Sequence, residues 1–205
     1  MEGYKPQDFS FFHRSEKLVQ QSFIIFKYIM VIYTPERYQQ MLDECRQIVQ
    51  EFYLWCSSNI PTYDSDNPDC DIEDCAVSEE RFDKFFSDLC QTMDVHPSKG
   101  HFRDNDYEYG KYSEQKNNVL FPYCIYYYPP QKIASAVCHE LYHAFQYKAI
   151  CFPTQFPVFS DEAIKKWAFE FDPNNYENGD RNPSKYIDQE IEKEANKFAS
   201  SVTSC

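Results

Sequence analysis

Glycine is nearly missing from this chain: four residues in 205, against 18 Phe and 17 Tyr. A sandwich or barrel turns repeatedly and uses glycine to do it, so this balance favours helices and packed aromatic layers. Basic charge is short as well. Lys and Arg number 20 against 33 Asp and Glu, a formal charge of -13, and no basic stripe is present to displace counterions from a phosphate backbone. Nucleic acid is excluded as a partner on that ground. No apolar run is long enough to cross a bilayer; the longest, Phe23 to Tyr33, is interrupted by Lys27. Met1 to Phe9 lacks the basic and apolar regions of a secretory leader, so the expectation is a cytoplasmic protein without membrane association, export by another route left open. There is no C-x-x-C. The nine cysteines (45, 56, 70, 75, 90, 124, 138, 151, 205) are odd in number and scattered, the pattern of reduced thiols; in an oxidising compartment Cys70 and Cys75 would be the first pair.

What is present reads as one domain over 1–205, with a mainly helical N-terminal half (1–117) and a second half (118–205) that carries the chemistry. Residues 1–14 look like an arm. Ser15 is placed to cap a helix into the Phe23 to Tyr33 run, where Ile24, Ile25, Val31 and Ile32 leave a strand open. Thr34 at N-cap and Pro35 at N1 begin a helix with apolar residues at Tyr38, Met41, Leu42, Cys45, Ile48, Val49, Phe52 and Trp55. An acidic connector (57–77) fails as a calcium loop: Pro68 takes a ligand position and Cys75 stands where the bidentate Glu belongs. Ser78 caps a helix with Phe82, Phe85, Phe86 and Leu89 on one face, and 94–118 reads as a long polar loop.

Val119 to Tyr128 is β-branched and aromatic, and Pro122 confines it to a sheet edge or bulge. Pro129-Pro130 then starts a helix from about Gln131 to Ile150, stopped by Cys151-Phe152-Pro153. Ser160-Asp161 caps a short helix with Ile164, Trp167, Ala168 and Phe171 on one side, and a last helix runs from about Ser184 to Ser201.

The second half is organised around His139-Glu140-Leu141-Tyr142-His143. Four residues apart on a helix, His139 and His143 share a face, so two imidazoles converge on one metal ion. Glu140, about 100° round, is beside the ion without being a ligand and is placed to take a proton from a zinc-bound water. This is the H-E-x-x-H arrangement of zinc metallopeptidases. A catalytic zinc takes a third protein ligand, and the last helix offers Glu190, Glu192 and Glu194, among which periodicity does not choose.

Glu192-Lys193-Glu194-Ala195-Asn196-Lys197-Phe198-Ala199 resembles the later helix of the gluzincin metallopeptidases, close to the ImmA/IrrE-type and minigluzincin-like proteins. The resemblance covers about 118–202. It implies an α+β zincin-like fold, mostly helical, with a small mostly antiparallel sheet beside the metal helix. It makes His139, His143 and Glu192 the Zn2+ ligands, Glu140 the general base and Asn196 an outer partner of a ligand histidine. The 48 residues between His143 and Glu192 exceed the spacing of compact members, which makes the Trp167 region an insertion near the substrate cleft.

The expected activity is therefore zinc-dependent hydrolysis of peptide bonds, by a monomer acting on a protein or peptide substrate laid antiparallel to an edge strand near Ile125 to Tyr128. Tyr147, Tyr176, Tyr186 and His101 are candidate donors to the transition state. Two alternatives stand beside it: a non-catalytic zinc-binding regulatory protein, and a delivered peptidase toxin with the same chemistry.

Overall fold

A computed structural model describes residues 31–61, 75–102, 110–177 and 181–204. The chain divides into Met1–Val31 and Ile32–Cys205, and the account below concerns the second unit. The arm, the Ser15 helix and most of the acidic connector, Cys70 included, lie outside the described residues.

Helix α1 (Pro35–Asn59) starts where the sequence places it: the Thr34 hydroxyl accepts from the Arg37 amide at 3.2 Å, and Pro35 fills the first turn, where an N–H is not needed. Its buried residues are Met41, Cys45, Val49, Phe52 and Cys56, one stripe spaced by three and four. Helix α2 (Glu79–Met93) is capped by Ser78, whose hydroxyl accepts from the Arg81 amide at 3.3 Å, and it buries Phe82, Phe85, Phe86 and Leu89. Phe85 stacks on Phe52 with ring centroids 4.2 Å apart, which joins the two helices. α2 ends at Asp94 in the left-handed region (φ 51°), and the Asp94 carbonyl accepts from Lys148 at 2.7 Å.

The polar stretch 94–118 departs from the loop expectation. It contains two strands, β1 (Ser98–Phe102) and β2 (Lys111–Ser113), which flank β3 (Asn118–Pro122) in the order β1-β3-β2. β1 runs parallel to β3, with Ser98 opposite Asn118, while β2 runs antiparallel, with Tyr112 opposite Val119. The sheet is thus mixed rather than mostly antiparallel, and β3 is central rather than an edge. Short, weakly apolar strands such as Ser98–Phe102 carry too little alternation to be seen in sequence; their backbone pairing comes from β3. A turn at Glu114–Asn117 joins β2 to β3, with Asn117 at φ 45°, a conformation Asn tolerates.

Pro122 ends β3, since it cannot donate to the ladder, and Tyr123–Tyr127 coils into a 3-10 turn instead of extending the strand. The expected extended run 119–128 is therefore half strand and half turn. Helix α3 (Pro130–Cys151) follows with Pro130 in its first turn, and Phe152 caps its end. It is buried round most of its circumference: Ile133, Val137, Cys138, Leu141, Tyr142, Phe145 and Ala149 all lie inside. Around it, Tyr33 stacks on Phe156 (4.9 Å) and meets Phe145 edge-on, while Tyr142 stacks on Phe198 (4.6 Å). Each such ring removes enough apolar surface to contribute about 1.5–3 kcal/mol.

Helix α4 (Asp161–Phe171) is capped by the Ser160 hydroxyl and buries Ile164 and Trp167; Ala168 is exposed, and Glu170 takes an inward position that periodicity had not assigned. The expected last helix is two helices, α5 (Pro183–Asp188) and α6 (Glu190–Thr203), broken at Gln189. Gln189 leaves helical geometry because its side chain is spent on other groups: its amide donates to the carbonyls of Glu177 (3.0 Å) and Tyr186 (3.3 Å) and its oxygen accepts from the Glu177 amide (2.9 Å). Ile187 is 58 % exposed as a result. α6 packs along α3, with Ile191, Ala195 and Ala199 buried on it and Phe198 stacked on Tyr142.

Candidate metal centre

α3 carries His139 and His143 one turn apart toward α6, with their Nε2 atoms 3.0 Å from each other. Glu192, in the first turn of α6, brings its carboxylate between them: Oε2 is 3.2 Å from His139 Nε2 and Oε1 is 3.5 Å from His143 Nε2. The three donor atoms lie within 4.8 Å of one another, and among the described residues no other group of His, Cys, Asp and Glu does so. Glu192 is 1 % exposed. Its two sequence rivals point elsewhere, as a separation of about 200° requires. Glu190 pairs with Lys166 at 3.1 Å and Glu194 lies 3.6 Å from Lys197.

One amide orients the His143 ring. Gln146, fully buried one turn on, donates through Nε2 to the Ile191 carbonyl at 3.1 Å, which aims its Oε1 at His143 Nδ1, 2.9 Å away. A carbonyl only accepts, so the amide orientation is fixed and Nδ1 carries a hydrogen, which leaves Nε2 as the ring atom facing the cluster. Asn196, expected in this outer role, is exposed on α6. The missed signal was local, a Gln three residues after the second histidine on the same helix face.

The carboxylate of Glu192 is deeply buried, which by itself pushes its pKa up. The adjoining His143 and His139 outweigh that, and the net shift is well below the usual carboxylate range. Glu192 Oε2 nonetheless has no hydrogen-bond partner; His139 Nε2, 3.2 Å away, makes an ion-pair contact only. A fully buried carboxylate oxygen without a donor is costly unless a cation takes that place. Two imidazole nitrogens and one carboxylate form the donor set of a three-ligand zinc site, so the residues fit Zn2+.

Glu140 is 7 % exposed, and its charge reaches Tyr176 and Tyr186. The residue before β2 lies over it: a Cβ built on Gly110 would stand 2.7 Å from Glu140 Cγ, so any larger residue there displaces the Glu140 side chain. Of the four candidate donors, Tyr176 comes to the cluster, its hydroxyl donating to Glu192 Oε1 at 3.1 Å. Tyr186 lies beside it with ring centroids 6.2 Å apart. Burial first, and then the Glu192 charge, raises both phenols and keeps them protonated. Tyr147 packs against Phe171, which itself flanks His143, and His101 is engaged by Tyr126 (3.0 Å) and stacked on Tyr123. The Ile125 to Tyr128 segment expected to receive substrate is the 3-10 turn, with Ile125 buried, and offers no strand edge. The sheet edge beside Glu140 is β2.

Set against family models, curated proteins and solved structures, the chain matches none. No helix among the described residues is long and apolar enough to cross a membrane.

Proposed function

We propose that this protein is a zinc-dependent peptide hydrolase with a zincin-like fold of the gluzincin type. The observation that carries the reading is the convergence of His139, His143 and Glu192 from two helices onto one point, with an unsatisfied Glu192 oxygen and an acidic neighbour, Glu140, that a purely structural site would not need. His139, His143 and Glu192 would hold the ion, and zinc bound there supplies Lewis acidity that polarises a carbonyl and acidifies water toward a pKa of about 7.

The chain's own groups do the rest. Glu140 accepts a proton from the attacking water on its carboxylate and returns it to the leaving nitrogen. Gln146 keeps His143 in the tautomer that presents Nε2. Tyr176, a neutral phenol at the cluster, would hydrogen-bond charge developing on the substrate oxygen by turning its O–H from Glu192 Oε1. An extended peptide adds to the outer edge of β2, which has no strand partner among the described residues, and its backbone pairs there.

Glu140→Gln tests the reading. The wild type, loaded with zinc, should cleave members of a proteome-derived peptide library. The variant should keep its zinc by elemental analysis while cleavage falls by about 10²- to 10⁴-fold, the usual share of a general base. A wild type that binds zinc yet cleaves nothing favours the regulatory alternative, and one that binds no transition metal removes the site.

A further inference from the structure

The first turn of α6 lacks a local cap. Gln189 occupies the N-cap position, but its side chain is turned to Glu177 and Tyr186 and makes no bond to the helix amides. Those amides are met from 20 residues upstream: Glu170 Oε1 accepts from the Glu190 N–H at 3.1 Å, and Glu170 Oε2 accepts from the Ile191 N–H at 2.8 Å. Glu170 is 8 % exposed. Burying a carboxylate is unfavourable, and two charge-assisted bonds to the positive end of a helix are what offset it here.

The same residue is held from its other side, through the next peptide unit. The Ile191 N–H goes to Glu170, the Ile191 carbonyl accepts from Gln146, and Gln146 accepts from His143. The next residue is Glu192. A single line of hydrogen bonds thus runs from Glu170 through the Ile191 backbone to one member of the donor cluster, and the covalent chain carries it to another. A helix start needs only a Ser or Asp at its own N-cap. A carboxylate from a different helix does something a local cap does not: it fixes where the first turn of α6 sits relative to the rest of the fold, and so where the Glu192 carboxylate points.

We propose that Glu170 is a positioning residue for the metal centre, pinning the Glu190 and Ile191 amides so that Glu192 and, through Gln146, His143 are held in ligating geometry. The proposal rests on the zinc reading above. Glu170 touches no substrate and no metal; its effect travels through the Ile191 backbone.

The test is Glu170→Gln in the full chain, which keeps size and one acceptor but sets an NH2 group against one of the two amides. Zinc affinity is read by competition with a chromophoric chelator, ligand geometry by the visible spectrum of the cobalt-substituted protein, and stability by thermal melting without metal. Zinc affinity should drop about 10- to 100-fold, as when an outer partner of a ligand is lost, and the cobalt bands should shift. Glu170→Asp, which keeps the charge and shortens the reach, should fall between the two. Tyr33→Phe is the control: it removes the bond from Tyr33 to the Met93 carbonyl (2.8 Å), away from the cluster, and should lower the melting temperature while leaving zinc affinity and the cobalt spectrum alone. If the wild type binds zinc and Glu170→Gln binds it within about twofold, short of the loss such partners cause, the positioning role is wrong while the zinc reading survives. If the wild type binds no zinc, both fall together.

Discussion

The histidine side and the glutamate side of the cluster reach the same point by different physical routes. His139 and His143 are placed by one helix: four residues at 1.5 Å rise bring them onto one face whatever surrounds the helix. Glu192 is placed by the fold. Its helix is broken from α5 at Gln189, started by a carboxylate on α4 and laid against α3, with Ala195 and Ala199 buried. The first route is rigid and local; the second depends on several long-range bonds, each of which is a place where the site can be loosened without touching a ligand.

The sharpest break in that comparison is at the ligands. His143→Ala and Glu192→Ala should each cost more zinc affinity than the roughly 100-fold that outer partners cost. Glu190→Ala and Glu194→Ala, whose carboxylates face Lys166 and Lys197, should leave it unchanged in the same chelator titration. Loss of binding in Glu194→Ala with retention in Glu192→Ala would reverse the assignment.

Next in size is Gly110→Ala. Its Cβ would meet Glu140 Cγ at 2.7 Å, so the Glu140 carboxylate, the proposed base, is pushed aside while both histidines stay put. Cleavage should fall on the order of 100-fold, the scale of a misplacement of about 1 Å, with zinc content intact. Equal losses of metal and activity would show that β2 supports the whole cluster instead.

The region far from the cluster supplies a contrast in pH. Burial pushes the Cys45 and Cys90 thiols up from 9.0 to about 12. A folded pKa raised above the unfolded value means that this stabilisation is complete below pH 9 and is lost as the pH rises through about 12. Urea midpoints should therefore decline across that alkaline window, and Cys45→Ala with Cys90→Ala should flatten the decline. Alkylation should reach exposed Cys151 before either buried thiol.

The smallest effect expected is at the caps. Thr34→Ala and Ser78→Ala each remove one side-chain acceptor from a first turn, at a cost of about 1 kcal/mol and a melting temperature lowered by about 2–4 °C, with no change in zinc affinity.

Local chemistry was legible wherever one short segment is enough to set the geometry. Thr34-Pro35, Ser78 and Ser160 start helices through a hydroxyl three residues from the amide it accepts, and the aromatic stripe of α2 follows from 3.6 residues per turn. Histidines four apart on α3 belong to the same class. What required neighbours was not legible. β1 and β2 have no strong alternation of their own and exist by pairing with β3. Pro122 could be read as a restriction on a strand, but only the finished sheet makes it the end of a central one. Three glutamates spaced by two divide onto opposite sides of any helix, so the sequence limited the ligand to one side. Which side faces α3 was decided by packing: Ala195 and Ala199 admit a close approach, Glu170 fixes where the helix begins, and Gln146 joins that beginning to His143 across 45 residues of chain. Hydrogen bonds between residues so far apart leave no periodic trace in the sequence, because their geometry exists only after the chain has folded.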